Sequence, residues 1–286
     1  VSIAEEKIII CKEKKLFVQN ISPVIVTIGR FSIRYYSVLF MCAFLLGLFL
    51  LNKLFKMKDI DRDYLPPLFL TVFISVVIGA RLGHVFFYYP KYYLSHPIRI
   101  LMIWKGGLAS HGAAIALIIG MLIYCRIHHM KFYVIADIAS IPVSIATSFV
   151  RLGNFFNSEI VGRKTSVPWA VKFLRFREPD GSPPAFRHPS QLYEVAIGII
   201  VFTTLWLLYK NKREKLQDGC IFYLFLFMYF SLRFLVEFFK EYHTLNPAVS
   251  PLTMGQYLSI PFVLFSAFML FVKGKIKAKE SVKSSK

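Results

Sequence analysis

Charge is what this 286-residue sequence has little of. Only 18% of its residues are charged, against about 25% in a soluble globular domain. Acidic residues are the scarcest, 16 Asp and Glu against 35 Lys and Arg, which leaves a formal charge of +19. So few charges cannot cover a water-facing surface, and the 56% hydrophobic content excludes disorder. Cysteine is sparse as well. Cys11, Cys42, Cys125 and Cys220 are widely scattered, with no CxxC pair and no His at metal spacing, so structural filler is the expected role. Residues 1–22 hold a single short apolar run, Ile8–Cys11, and no secretory signal is expected there. There is no internal repeat, and the one low-complexity tract is the polar tail after Lys273. The basic residues lie between long apolar runs rather than on one stripe, which argues against a nucleic-acid partner. The 29 Phe and 15 Tyr belong to those runs, and the composition points to an integral membrane protein.

A helix needs roughly 20 mostly apolar residues to span the hydrocarbon core. Seven stretches qualify: Tyr35–Asn52, Leu65–Tyr89, Gly107–Cys125, Phe132–Val150, Tyr193–Tyr209, Gly219–Phe239 and Gly255–Val272. Bends are expected at Pro142 and Pro261. The connections after the first, third and fifth stretches, and the tail, gather Lys and Arg in short segments, which predicts a cytoplasmic C-terminus. The fold class expected is all-α and polytopic. A segment of residues 1–34 on the outer side precedes a seven-helix membrane domain, 35–272, and a basic cytoplasmic tail, 273–286. The long connection 151–190 mixes apolar and basic residues, suited to lying on the membrane or forming a small head outside it.

Charge inside a bilayer costs about 2.5–3.5 kcal/mol for an Arg at a helix centre, so function is sought at those charges. Arg81 and His84 share a face of the second stretch; snorkelling to the interface is the plain reading of Arg81. Arg233 and Glu237 are four apart in the sixth, placed either as a structural pair or with Arg233 facing an anionic ligand. His111 lies in GGLASHGA (106–113), a run of small residues that lets helix backbones approach closely. It either bonds across helices or serves as a general base, since histidine's ordinary pKa of about 6.5 permits proton transfer near neutrality.

In VRLGNFFNSEIVGR (150–163), Arg151, Asn154 and Asn157 recur every three residues, with Glu159 following. If helical, they form a strip of donors. Either asparagine is able to cap a helix end, but capping does not explain the arginine, whose forked donors match a phosphate. HPSQLYE (188–194) opens the fifth stretch, with His188 or Ser190 as a candidate cap and Gln191 and Glu194 placed to brace the arginines from a facing helix. Tyr36, at the end of the first stretch, belongs by default to an aromatic belt.

GGLASHGA, RLGNFFNSEIVGR, RHPSQLYE and LRFLVEFF (232–239), in this order and spacing, together with SPVIVTIG at Ser22 and MGQYLSIP (254–261), resemble the prolipoprotein diacylglyceryl transferases of bacterial membranes. The resemblance implies a seven-helix enzyme of the bacterial cytoplasmic (inner) membrane, with a head on the periplasmic side. It implies transfer of the diacylglyceryl group of phosphatidylglycerol to the lipobox cysteine of a prolipoprotein signal peptide, with glycerol-1-phosphate leaving. No cofactor and no metal are expected, and a monomer is. The matching positions imply catalytic roles for Arg151, Arg233, His111 and Tyr36. They imply substrate-binding roles for Arg151, Asn154, Glu159, Gly162 and Glu237, and Arg81 is added to that set. The sequence departs from the pattern at Val150, at Ala113, at Ser158 where the family has Gly, and at Lys240 where an Arg is common. The competing class is a transporter or channel for an anion or lipid. Such folds tend to show paired broken helices in two related halves, and no such symmetry is visible.

Overall fold

The structure, a computed structural model, describes residues 17–29, 31–103, 106–107, 109–241 and 250–284. Expectations on Cys11 and the rest of residues 1–16, and on Leu108 of the GGLASHGA run, lie outside them.

Each apolar stretch is helical: α1 (Tyr35–Met57), α2 (Leu65–Tyr88), the short α3 (Pro90–Ser95), α4 (Ser110–Ile127), α5 (Phe132–Asn157), α6 (Ser190–Lys212), α7 (Cys220–Glu237) and α8 (Met254–Ser284). Among the described residues, six of these are long and apolar enough to cross a membrane, while the apolar run His111–Ile127 of α4 is shorter. Most ends match the apolar runs closely. Four extend further: α1 runs on to Met57, α5 takes in the whole of RLGNFFN, α6 starts three residues early at Ser190, and α8 continues through the basic tail to Ser284. Pro66 and Pro67 sit in the first turn of α2, where a missing N–H costs nothing. Pro142 and Pro261 lie within α5 and α8, which run through them.

The chain divides into two compact units, residues 48–139 and residues 1–47 with 140–286. In the first, α2 and α4 pack at very short range. A Cβ on Gly83 would lie 2.6 Å from the Gly112 Cα, so this contact of two glycines leaves no space for a side chain. It is the close approach expected of the GGLASHGA run.

In the second unit α5 packs on α6. Ser148 Oγ donates to the Val195 carbonyl at 2.9 Å, and a Cβ on Gly198 would meet the Ser144 carbonyl at 2.8 Å. The connection after α5 folds, with the strand near the start of the chain, into a small three-stranded sheet, the head. Strands β4 (Val171–Phe173) and β5 (Phe186–Arg187) pair antiparallel, and β1 (Phe17–Gln19) adds to β4 in parallel. Phe155, Val161, Val171 and Phe173 form its apolar cluster. Gln19 is fully buried there and donates from Nε2 to the Phe155 carbonyl at 3.2 Å. A hairpin of β2 (Val24–Ile28) and β3 (Phe31–Arg34) leads directly into α1.

Within the head, Arg187 and Glu178 are both almost completely buried and joined as an ion pair; Arg187 also pairs with Glu241 and donates to the Gly162 carbonyl at 2.8 Å. Hydrogen bonds from Arg187 hold the Glu178 carboxyl below the ordinary carboxylate range. Because the folded value is the lower one, this pair stabilises the head at neutral pH, and the contribution is lost as pH falls through that lowered value. Protection factors across 171–187, with the intrinsic pH dependence of amide exchange divided out, are therefore expected to fall on going from pH 6 to pH 3. Glu178→Gln, poorly protected at both, is expected to show the same protection factors at both pH values.

Candidate active site

The donor strip sits on the last two turns of α5. Arg151 NH1 donates to Asn154 Oδ1 at 3.2 Å, and Asn154 Nδ2 donates to Glu159 Oε1 at 2.7 Å. Asn157 Nδ2 reaches the same oxygen at 3.1 Å. Asn154 thus links the arginine to the carboxylate, Asn157 adds a second donor to that carboxylate, and neither caps a helix start. Past Asn157 the chain turns sharply, with Ser158 and Ile160 both left-handed at φ +54° and +56°. A left-handed residue with a side chain costs about 1–2 kcal/mol, which is why Gly suits the place where Ser158 stands. The turn brings Glu159 back over α5, with its N–H on the Asn154 carbonyl at 3.1 Å.

Helix α6 supplies the brace. Glu194, on the face held to α5 by the Gly198 approach, forms an ion pair with Arg151 Nε through one oxygen and with Lys240 Nζ through the other. Lys240 also donates to Glu237 Oε1 at 2.8 Å, and Arg233 NH2 stands 3.7 Å from that same oxygen. Thr253 Oγ1 donates to the other Glu237 oxygen at 3.1 Å. The result is an alternating chain, Arg151–Glu194–Lys240–Glu237–Arg233, drawn from α5, α6, α7 and the third residue past its end. Glu194 also lies within electrostatic reach of Arg233. Both carboxylates are buried, as is Lys240, whereas the Arg233 side chain keeps 27% of its surface open. Arginines 82 positions apart in the sequence therefore converge on one acidic pair.

Sequence reasoning found most of these residues and missed Lys240, which looked like a cation in the connection after α7. Gly162 explains its position. The segment Gly162–Arg163 pairs with Phe239–Lys240, Arg163 Nε donates to the Lys240 carbonyl at 2.9 Å, and a Cβ on Gly162 would lie 2.6 Å from the Phe239 carbonyl. Gly162 contacts the backbone that seats Lys240 and also His188, whose carbonyl accepts its N–H at 3.0 Å. Of the α6 pair, Glu194 braces Arg151 as expected, while Gln191 Nε2 donates to the Glu159 carbonyl at 2.7 Å. Neither His188 nor Ser190 caps α6. Ser190 Oγ donates to the Ile160 carbonyl at 2.8 Å, and His188 Nδ1 is 3.0 Å from the Tyr193 hydroxyl. Tyr36 rests against α5: a Cβ on Gly153 would come 2.6 Å from its Cδ2, so the glycine of RLGN is what admits the ring.

Arg81 and His111 belong to the other unit. Arg81 is 4% exposed and its N–H groups go to the protein's own backbone: Nε to the Ile100 carbonyl at 2.8 Å, NH1 to Gly106 and Gly107 at 2.7 and 3.1 Å, and NH2 to Arg99 at 2.5 Å. Its guanidinium lies 5.0 Å from the Tyr93 ring centroid. Arg81 was expected among the substrate-binding residues. The segment before α4 takes four of its N–H groups instead, through the carbonyls of Arg99, Ile100, Gly106 and Gly107. His111 is exposed at the start of α4, 3.1 Å from the Tyr88 hydroxyl through Nε2.

Among the described residues no three His, Cys, Asp or Glu side chains are grouped as a metal would need. What the second unit holds is a cluster of guanidinium and ammonium groups on buried carboxylates. The fold is that of a polytopic membrane protein, with this charged cluster among its helices. The family model for prolipoprotein diacylglyceryl transferase matches residues 23–272, and the chain belongs to that family. Similar proteins named phosphatidylglycerol–prolipoprotein diacylglyceryl transferase include those of Tolumonas auensis, 40% identical over 91% of this chain and 98% of the relative, and Bacteroides fragilis, 40% identical over 91% and 96%. That of Chloroherpeton thalassium is 39% identical over 88% and 92%.

Proposed function

We propose that this chain transfers the diacylglyceryl group of phosphatidylglycerol to the lipobox cysteine of a prolipoprotein, forming a thioether and releasing glycerol-1-phosphate. One observation beside the family membership supports it most: Arg151, Lys240 and Arg233 joined through two buried carboxylates. The cysteine thiolate attacks the glyceryl carbon, the C–O bond to phosphate breaks, and its electron pair leaves on the phosphate oxygen. Negative charge on that oxygen grows as the bond lengthens. Cations already fixed in place stabilise it without reorganising, which is where they act most strongly. Arg151 and Arg233 hold the phosphate, Lys240 adds a third positive charge, and Glu237 orients Arg233. Asn154 and Glu159 shape the headgroup pocket, with Tyr36 lining it and Gly162 seating Lys240. His111 takes the thiol proton, an assignment made on the resemblance. A free cysteine has a pKa near 8.5, so such a base increases the nucleophilic thiolate.

In the same reading α4 is a seventh, short span, the head stands on the periplasmic side, the C-terminus is cytoplasmic, the membrane is the bacterial inner one, and the enzyme works as a monomer. Both substrates are held in the bilayer, so they enter between helices. The test is direct. Purified protein with phosphatidylglycerol and a lipobox peptide is expected to yield, by mass spectrometry, a peptide carrying a diacylglyceryl group on cysteine, together with free glycerol phosphate. Lipid binding without an adduct would make the site a carrier's and sink the transferase reading.

A further inference from the structure

Helix α2 turns one stripe of side chains toward the segment that leads to His111. Arg81, His84 and Tyr88 follow one another at helical spacing, and each makes a different contact with residues 99–111. Arg81 grips the carbonyls of Arg99, Ile100, Gly106 and Gly107. His84 lies under Gly107, where a Cβ would come 2.6 Å from its Cδ2, and at φ +78° only glycine sits without strain. Tyr88 reaches His111 itself: the hydroxyl is 3.1 Å from Nε2, with the rings stacked at 6.0 Å and 22° apart. The His84 ring also stacks on Tyr88, at 5.6 Å and 21°. Phe87 meets His111 edge-on at 6.2 Å. The Ala109 N–H donates to the Ala80 carbonyl at 2.8 Å, so the chain just before His111 is pinned to the same helix.

We propose that Tyr88 is a positioning residue for His111, holding the imidazole with its Nε2 proton on the tyrosine oxygen and Nδ1 free to accept a proton. It rests on the reading of His111 as the group that takes the thiol proton. The physical reason is that a histidine's second nitrogen is set by the hydrogen bond its first one makes. When Nδ1 gains a proton, the Nε2–H···O bond becomes charge-assisted and shorter, so Tyr88 favours the protonated ring over the neutral one. Tyr88 is well exposed, so removing its hydroxyl changes little packing. Arg81 and His84 hold the backbone and the tyrosine ring at the distances this contact needs.

The experiment is a double-mutant cycle with one spectroscopic arm. Tyr88→Phe is expected to lower kcat about three- to tenfold with KM for phosphatidylglycerol unchanged, the effect of one lost hydrogen bond. In a His111→Gln background the same change is expected to have no further effect. An equal loss in both backgrounds would make Tyr88 merely structural, and no loss in the single variant would end the proposal. Wild-type turnover in His111→Gln alone would remove the underlying reading and this inference with it. Where His111→Gln is too slow to measure, nitrogen-15 NMR of the labelled imidazole in lipid bilayers decides. The His111 signals, identified by their absence from His111→Gln, are expected to change tautomer balance in Tyr88→Phe, and an unchanged balance overturns the assignment.

Discussion

Arg151→Lys is expected to reduce turnover by about 100- to 1,000-fold while the protein stays folded. Lysine retains the positive charge opposite Glu194 but loses the planar fork, the geometry suited to two phosphate oxygens at once. Its ammonium also gives up the link to Asn154 Oδ1, and with it the chain of hydrogen bonds running to Glu159. Removing one preorganised donor from a water-excluded site costs about 2.7–4 kcal/mol of transition-state stabilisation, which gives the range stated. Because charge balance with Glu194 is preserved, thermal unfolding should shift far less than activity does. Initial rates of adduct formation, measured beside a melting curve in the same lipid, separate the two. Wild-type-like turnover would show that a point charge suffices and that forked holding of the phosphate is not needed.

Glu194→Gln should act in the opposite sense, on stability before chemistry. Glu194 is 4% exposed and pairs with both Arg151 and Lys240, so the amide leaves two cations facing each other with one counter-ion gone. Breaking a buried pair by removing one partner typically costs about 3–5 kcal/mol. The neighbouring Glu237 still holds Lys240, which keeps the loss from being larger. An anionic lipid offers the missing negative charge. The variant is therefore expected to melt well below wild type in zwitterionic bilayers and to recover part of the difference in bilayers of phosphatidylglycerol. An unchanged melting temperature in zwitterionic lipid would remove the bracing role.

The helices were legible because the bilayer allows so few charges: an apolar run bounded by Lys or Asp is visible without knowing what it packs on. The three-residue rhythm of Arg151, Asn154 and Asn157 was legible for the same reason, being polar where the chain is otherwise apolar. Glu194 was visible as a brace because it opens an apolar stretch. Lys240 was not, since a cation just past the end of α7 looks like any solvated connection residue, and only the pairing of Gly162 with it carries it inward. The strands of the head are two and three residues long, too short to display an alternating pattern. Arg81 shows the limit most clearly. A buried guanidinium needs acceptors, and sequence cannot tell whether these belong to a lipid or to a folded-back stretch of the chain itself.

That grip also settles where variation is tolerated. Carbonyl groups are chemically alike whatever residue bears them, so a stretch fastened through its carbonyls is indifferent to its own side chains. Ile100 is free to drift so long as the trace is preserved, while Gly106 answers to its positive φ of 81° and Gly107 both to its φ of 78° and to the His84 ring beneath it. The dependence is gathered into a single position on α2, whose loss undoes four anchor points together. A saturation library scored for function should therefore show a tolerant plateau at residues 100–103 beside one sharply intolerant site, Arg81.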